Sequence, residues 1–185
     1  MEIEAKIKVE DLEPVAQKLK LLDVHPRREI FQRDFFFDRP DLSLKKSDCG
    51  LRLRRERYRN AVKNILCFKG PKAKHSPYKK RREIEVEVSD PNQAQQFLQA
   101  LGYQLRLTFE KKRSEWRFEN CLVCLDQLPV LGTYIEVEGP NESAIRGVLT
   151  RLMLSDAQTI RRGYASLLFQ HADESHMPLP HDFCF

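Results

Sequence analysis

Charged and apolar positions alternate along the start of the chain, with Glu2, Glu4, Lys6 and Lys8 in one register and Ile3, Ala5, Ile7 and Val9 in the other. A period of two belongs to an extended strand, whose successive side chains point to opposite faces. The alternation returns within 28–38, at Leu51 to Glu56, at Arg81 to Val88, at Lys111 to Phe118 and at Ile135 to Glu138. Less regular runs at 62–69 and 121–128, the first ended by Gly70-Pro71, bring the expected strands to about eight.

Between these strands the period lengthens to that of a helix. Leu12, Val15, Ala16, Leu19 and Leu22 follow Asp11, an N-cap residue type; Ala94, Phe97, Leu98 and Leu101 follow Asp90-Pro91 and stop at Gly102. Ile145, Val148, Leu149 and Leu152 follow Asn141, and a last helix is expected over 162–169. The stretches 41–48 and 72–80 read as loops, the second basic and mobile. The domain is expected to span 1–170, with 171–185 a poorly ordered tail; Phe35, Phe37, Phe97 and Trp116 read as core, and the histidines as surface.

One alternating strand is ordinarily a half-exposed element with its charges in water. Its recurrence changes that reading. The apolar sides of all the strands need cover, which the amphipathic helices supply. The charged sides then face solvent in an open sheet or one another in a barrel. The fold class expected is α+β, a closed eight-stranded antiparallel β-barrel with helices packed outside, wide enough to hold a ligand.

Composition narrows the partners. The chain has 185 residues, enough for one domain with a real core, and 32% are charged, yet the net charge is only +5. Basic nucleic-acid binders seldom mix so many carboxylates into the same strands, so no nucleic acid is expected. No apolar run approaches the ~20 residues of a membrane span, so no membrane partner is expected either, and the chain reads as cytoplasmic. Five cysteines, an odd number and scattered, suit reduced thiols; Cys121 and Cys124, three apart in a strand, point to opposite faces and are no zinc knuckle.

Unpaired charges facing one another in a dry interior cost several kcal/mol each. The interior should therefore bind something that answers both signs. The carboxylate pairs Glu2/Glu4, Glu83/Glu85 and Glu136/Glu138 repel unless a divalent cation sits among them, and all-oxygen ligands suit Mg²⁺ or Mn²⁺. Lys6, Arg52, Arg54, Lys69, Arg81, Lys111 and Arg113 require a polyanion, and phosphate fits the arginine fork. Metal with polyphosphate satisfies both sets.

These residues resemble the CYTH superfamily, which groups class IV adenylate cyclases with thiamine triphosphatase and other triphosphate tunnel metalloenzymes. Its E-x-E-x-K hallmark is Glu2-Ile3-Glu4-Ala5-Lys6, and the later elements follow in order: Asp34 to Asp38, Leu51-Arg52-Leu53-Arg54, Phe68-Lys69-Gly70-Pro71, Arg81-x-Glu83-x-Glu85, Glu110-Lys111-x-Arg113, Asp126 and Glu136-x-Glu138. The resemblance implies a closed tunnel that takes ATP, another nucleoside triphosphate or tripolyphosphate. Carried over, Glu2, Glu4, Asp126, Glu136 and Glu138 hold metal, with Glu83 and Glu85 on the acidic side. Lys6, Arg52, Arg54, Lys69, Lys111 and Arg113 hold phosphate, with Arg81 or its neighbour Arg82 beside them. Lys69, Glu4 and Glu136 are the expected catalytic residues. Where several members have Tyr in the second strand, paired with the lysine matched to Lys69, this chain has Phe36, which counts against a dedicated thiamine triphosphatase. The leading expectation is a metal-dependent triphosphatase; the alternatives are a cyclase that converts ATP to cyclic AMP and pyrophosphate, and a non-catalytic polyphosphate or nucleotide binder. A homodimer stays open.

Overall fold

The structure, a computed structural model, describes residues 2–185; Met1 lies outside them. The barrel strands are β1 (Glu2–Val9), β2 (Pro26–Asp38), β3 (Gly50–Tyr58), β4 (Ala61–Lys72), β5 (Lys79–Glu87), β6 (Gln104–Phe118), β7 (Cys121–Leu128) and β8 (Gly132–Glu138). They run β2-β3-β4-β5-β1-β8-β7-β6, and β6 pairs back onto β2, so the eight-stranded antiparallel barrel expected from the alternation closes. β1 lies between β5 and β8, with Glu4 opposite Lys79 on one side and Lys6 opposite Glu136 on the other.

Helices cover the outer face where the apolar parity emerges. α1 (Glu13–Leu21) and α4 (Glu142–Arg151) bury Leu19, Ile145 and Val148 with Ile3, Ala5, Ile7, Ile135 and Val137. α3 (Pro91–Ala100) sets Leu98 against Phe37, Leu51 and Leu53. α5 (Tyr164–Glu174) crosses one end of the barrel, its Tyr164, Leu168 and Ala172 packed with Leu107, Phe109 and Tyr134. Asp90 and Asn141 cap α3 and α4 as their residue types promise, accepting from Asn92 and Gln93 N–H and from Ala144 N–H.

Several expectations are corrected. The loop at 41–48 contains a single turn, α2 (Ser43–Lys46), because the Asp38 carboxylate accepts from the backbone N–H of Leu44 and Lys45 at 3.0 and 2.9 Å. The basic loop before Arg81 is shorter than expected: β4 runs through Gly70-Pro71 to Lys72 and β5 already begins at Lys79. β6 starts seven residues before Lys111, with Gln104. Phe97, expected in the core, is 64% exposed. The chain after His171 is not a loose tail. The helix continues to Glu174 and a short strand, β9 (His181–Phe183), pairs parallel to the Leu107–Phe109 part of β6. His181, expected at the surface, is buried, its ring edge-on to Phe169 at 5.8 Å.

No helix among the described residues is long and apolar enough to cross a membrane. Docking of β9 is testable by Phe183→Ala, which removes a buried ring that packs with α5 and β6. The variant should lose about 3 kcal/mol of unfolding free energy in urea denaturation, and a loss under about 0.5 kcal/mol would mean the segment contributes no core.

Candidate active site

The inward face of the strands encloses a cavity of about 740 Å³, within the usual range for small-molecule sites of about 300–1,000 Å³. Glu2, Glu4 and Lys6 of β1, Arg52 and Arg54 of β3, Lys69 of β4, Arg81, Glu83 and Glu85 of β5, Lys111 and Arg113 of β6, and Glu136 and Glu138 of β8 all line it. Asp126 of β7 is wholly buried behind Arg113. The strand parity thus brings the expected residues to one enclosed space.

Their partners divide them. Asp34 takes both Nε and Nη2 of Arg54, at 2.6 and 2.7 Å, and Asp126 takes the same two donors of Arg113, at 2.7 and 2.6 Å. Burial works to raise the Asp34 carboxyl pKa, yet Arg54 and Arg52 hold it well below the usual carboxylate range. Glu136 bridges two cations, hydrogen-bonded to Arg113 and 3.1 Å from Lys6 Nζ. Against its burial, Lys6 and Arg113 keep its pKa well below normal. Asp126 also accepts the Tyr164 phenol at 2.8 Å and lies 3.4 Å from Lys111. Asp126 and Glu136, expected among the metal ligands, are paired with arginine and lysine in this structure.

Glu83 and Glu85 are similarly placed. Glu83 pairs with Lys69; burial works to raise its pKa, but a hydrogen bond with Glu2 and then Lys69 hold it at about 2, and half-exposed Glu85 reaches Arg52 at 3.3 Å. Their side chains and Cys67 Sγ converge within 4.8 Å, but the adjoining Lys69 and Arg52 already supply the positive charge. Glu2, Glu4 and Glu138 form the other convergent set, within 4.8 Å of one another. Burial, and then Glu2, Glu136 and Glu4, push the Glu138 carboxyl up to about 7 against the pull of Arg113. Three mutually repelling carboxylate oxygen donors suit a hard divalent cation.

The cations differ as well. Arg81 lines the cavity but donates to the backbone carbonyls of Gly70, Lys69 and Asp48, at 2.7, 3.1 and 2.9 Å, so it clamps β4 to the loop after β2. Lys79, which the reading of 72–80 as a loop passed over, takes the inward place and lies 2.9 Å from Glu4. One further step of the period-two pattern upstream of Arg81 would have reached it. Tyr164 was also unassigned; its ring lies under Lys6 Nζ at 4.1 Å and Lys111 Nζ at 5.1 Å. Burial, then Arg52 and Lys79, lower the Lys69 pKa; burial, then Arg113, bring Lys111 down to about 8.

A cation at Glu2, Glu4 and Glu138 must displace the Glu138 proton, which is held below about pH 7. Mg²⁺ affinity measured by titration calorimetry should therefore weaken as pH falls through 7, since the site is then neutralised by a proton. Glu138→Gln should lower the affinity about 10-fold or more at pH 8 and remove most of that pH dependence.

The sequence matches the CYTH domain family over residues 1–164. It is 29% identical over 176 residues to "Putative adenylate cyclase MJ0240" of Methanocaldococcus jannaschii, a match covering 90% of this chain and 98% of that protein. Among solved structures, the PH1819 protein of Pyrococcus horikoshii OT3 superposes with a TM-score of 0.81 at 26% identity, covering 92% of this chain and 99% of that one. HpAC1 of Hippeastrum, whose dominant activity is that of a triphosphatase, superposes with a TM-score of 0.71 at 19% identity, covering 97% and 98%. With the family match spanning all eight barrel strands and the hallmark residues facing one tunnel, the chain belongs to the CYTH domain family.

Proposed function

We propose that the protein hydrolyses a triphosphate drawn into the tunnel together with a divalent cation, Mg²⁺ or Mn²⁺. The observation that carries this reading is the closed lattice of lumen ions, in which Lys6, Lys69 and Lys79 each face a carboxylate inside one cavity. A polyphosphate replaces carboxylate on these lysines, and Glu4, released from Lys6 and Lys79, would join Glu2 and Glu138 in holding a divalent cation.

In this reading Lys6, Arg52, Lys69, Lys79 and Lys111 bind phosphate oxygens. Arg54 and Arg113, forked onto Asp34 and Asp126, hold the shape of the wall and its positive field. Glu4, with Glu2 and Glu138, would hold the cation, which supplies Lewis acidity at a phosphate oxygen. Glu136 keeps Lys6 and Arg113 in register with one another. Water attacks the terminal phosphorus and the bond to the bridging oxygen breaks. The Lys69 ammonium, made more acidic by its surroundings, gives its proton to that leaving oxygen. Positioning and charge neutralisation account for most of the acceleration. With Phe36 facing the cavity, that strand position supplies no phenol to take a proton.

A second reading is favoured by the name of MJ0240. There the same cage holds ATP while the ribose 3′ oxygen attacks the α-phosphorus and pyrophosphate leaves. Incubating ATP with Mg²⁺ or Mn²⁺ and resolving the products separates the two. ADP with orthophosphate, and cleavage of tripolyphosphate, are expected; cyclic AMP with pyrophosphate overturns the hydrolase.

Glu4→Gln should reduce kcat by about 100-fold or more while leaving the fold intact, as read by circular dichroism. Lys111 loses its charge as pH rises through about 8, so tripolyphosphate affinity should decline above that pH. Lys111→Arg, protonated throughout, should hold the affinity to higher pH in a calorimetric titration.

A further inference from the structure

β6 carries one residue more than the strand it faces. Phe36 pairs with Leu107 and Phe37 with Leu105, which leaves Arg106 without a place on the ladder. A bulge of this kind bends the strand and re-aims a side chain. Arg106 lines the tunnel cavity, although its neighbours Leu105 and Leu107 serve apolar clusters on the barrel wall. Its Nη2 donates to the Arg39 carbonyl at 3.1 Å, whereas its Nε is buried and meets no acceptor among the described residues. A buried donor left unmatched costs about 1–3 kcal/mol.

The surroundings of Arg106 differ from the rest of the tunnel. The rings of Phe36 and Phe109 stack with centroids 5.9 Å apart and planes 14° from parallel. Leu42 and Leu44, from the turn after β2, and Phe169, from α5, line the same cavity. Phe36 is the cross-strand neighbour of Arg52, so this apolar patch begins beside a cation of the phosphate-binding wall. A bare chain of phosphates gains nothing from aromatic and aliphatic carbon. A heteroaromatic ring presents both a flat apolar face and ring-nitrogen or carbonyl acceptors on its edge.

We infer that this end of the tunnel is a ring-binding annexe, with Arg106 donating to the edge of a nucleobase, which selects nucleoside triphosphates over inorganic tripolyphosphate. The inference rests on the reading of the tunnel as a triphosphate site and adds what lies beyond the phosphates. The annexe has a floor of Phe36 and Phe109, a side of Leu42 and Leu44, and a polar anchor, Arg106, whose direction is set by the bulge; Lys45 lies at its edge, Nζ 4.8 Å from the Phe169 ring.

The test is titration calorimetry of the full chain with Mg²⁺, using ATP, GTP and tripolyphosphate as separate ligands. Wild-type protein should bind at least one nucleoside triphosphate about 10-fold or more tightly than tripolyphosphate. Arg106→Ala should shrink that ratio about 5-fold or more. Because Arg106 also ties down the turn after β2 through Arg39, a second variant is needed. Leu42→Gly serves, since the backbone there has φ of 58°, a region glycine accepts without strain, and only the side chain in the annexe is lost. It should narrow the same ratio by about 3-fold. A wild-type ratio near one, or a ratio that neither variant moves, overturns the annexe while leaving the triphosphate tunnel standing. Failure of all three ligands to bind overturns the tunnel reading and the annexe with it.

Discussion

Everything in the barrel answers to one electrostatic constraint: an ion removed from water must have a counter-ion at hand, and the lumen is built almost entirely of ions. Lys6 and Lys111 are among the most deeply buried side chains in the protein, and Asp126 is wholly buried. Uncompensated, each would cost several kcal/mol. The cross-strand register removes the difficulty by setting opposite charges side by side, Lys69 against Glu83 and Arg113 against Asp126. Such pairing leaves the lumen internally neutralised yet exchangeable. On the proposed triphosphate reading, its cations pass from carboxylate to phosphate only as the carboxylates gain another partner, which would make anion and metal binding mutually dependent.

Within that lattice the two basic residue types do different work. Arg54 and Arg113 each present a planar fork to a carboxylate and are fixed in two hydrogen bonds. Lysines carry a compact charge on a flexible stem and can change partners with a small torsion. Lys6 shows how crowded such a site can become, with Glu4, Glu136, the Arg162 carbonyl and the face of Tyr164 all around one ammonium. The arginines act as masonry and the lysines as fingers.

How much of this was legible from the residues follows from what a period of two can encode. Parity tells which face a side chain takes, so the sequence alone places Glu4, Arg52, Lys111 and Glu136 in one interior. Parity does not tell which partner waits across the ladder. Asp126 and Glu136 therefore read by parity alone as inward carboxylates, and only the register shows Arg113 and Lys6 beside them. The pattern also fails where the ladder slips. Arg106 was invisible because a bulge shifts the alternation by one, and Lys79 because the basic stretch around Pro77 looks like loop while its last residues are already strand. The docked end of the chain was missed for a different reason: three residues of strand leave too short a pattern to recognise, and His181 and Phe183 gain their burial only from α5 and β6.

β1 holds the hallmark residues and also sits between β5 and β8 in the closed ring. It is the first barrel strand to be made, whereas its neighbour β8 is the last. The hallmark segment thus spends synthesis without its long-range partner, its Ile3, Ala5 and Ile7 face uncovered by α4 until then. Pairings so distant in sequence pay a loop-closure entropy before they return any contact, and they slow folding. The ring is complete only when the first strand of the barrel meets the last, so the ion pairs between β1 and β8, Lys6 with Glu136 among them, await that contact.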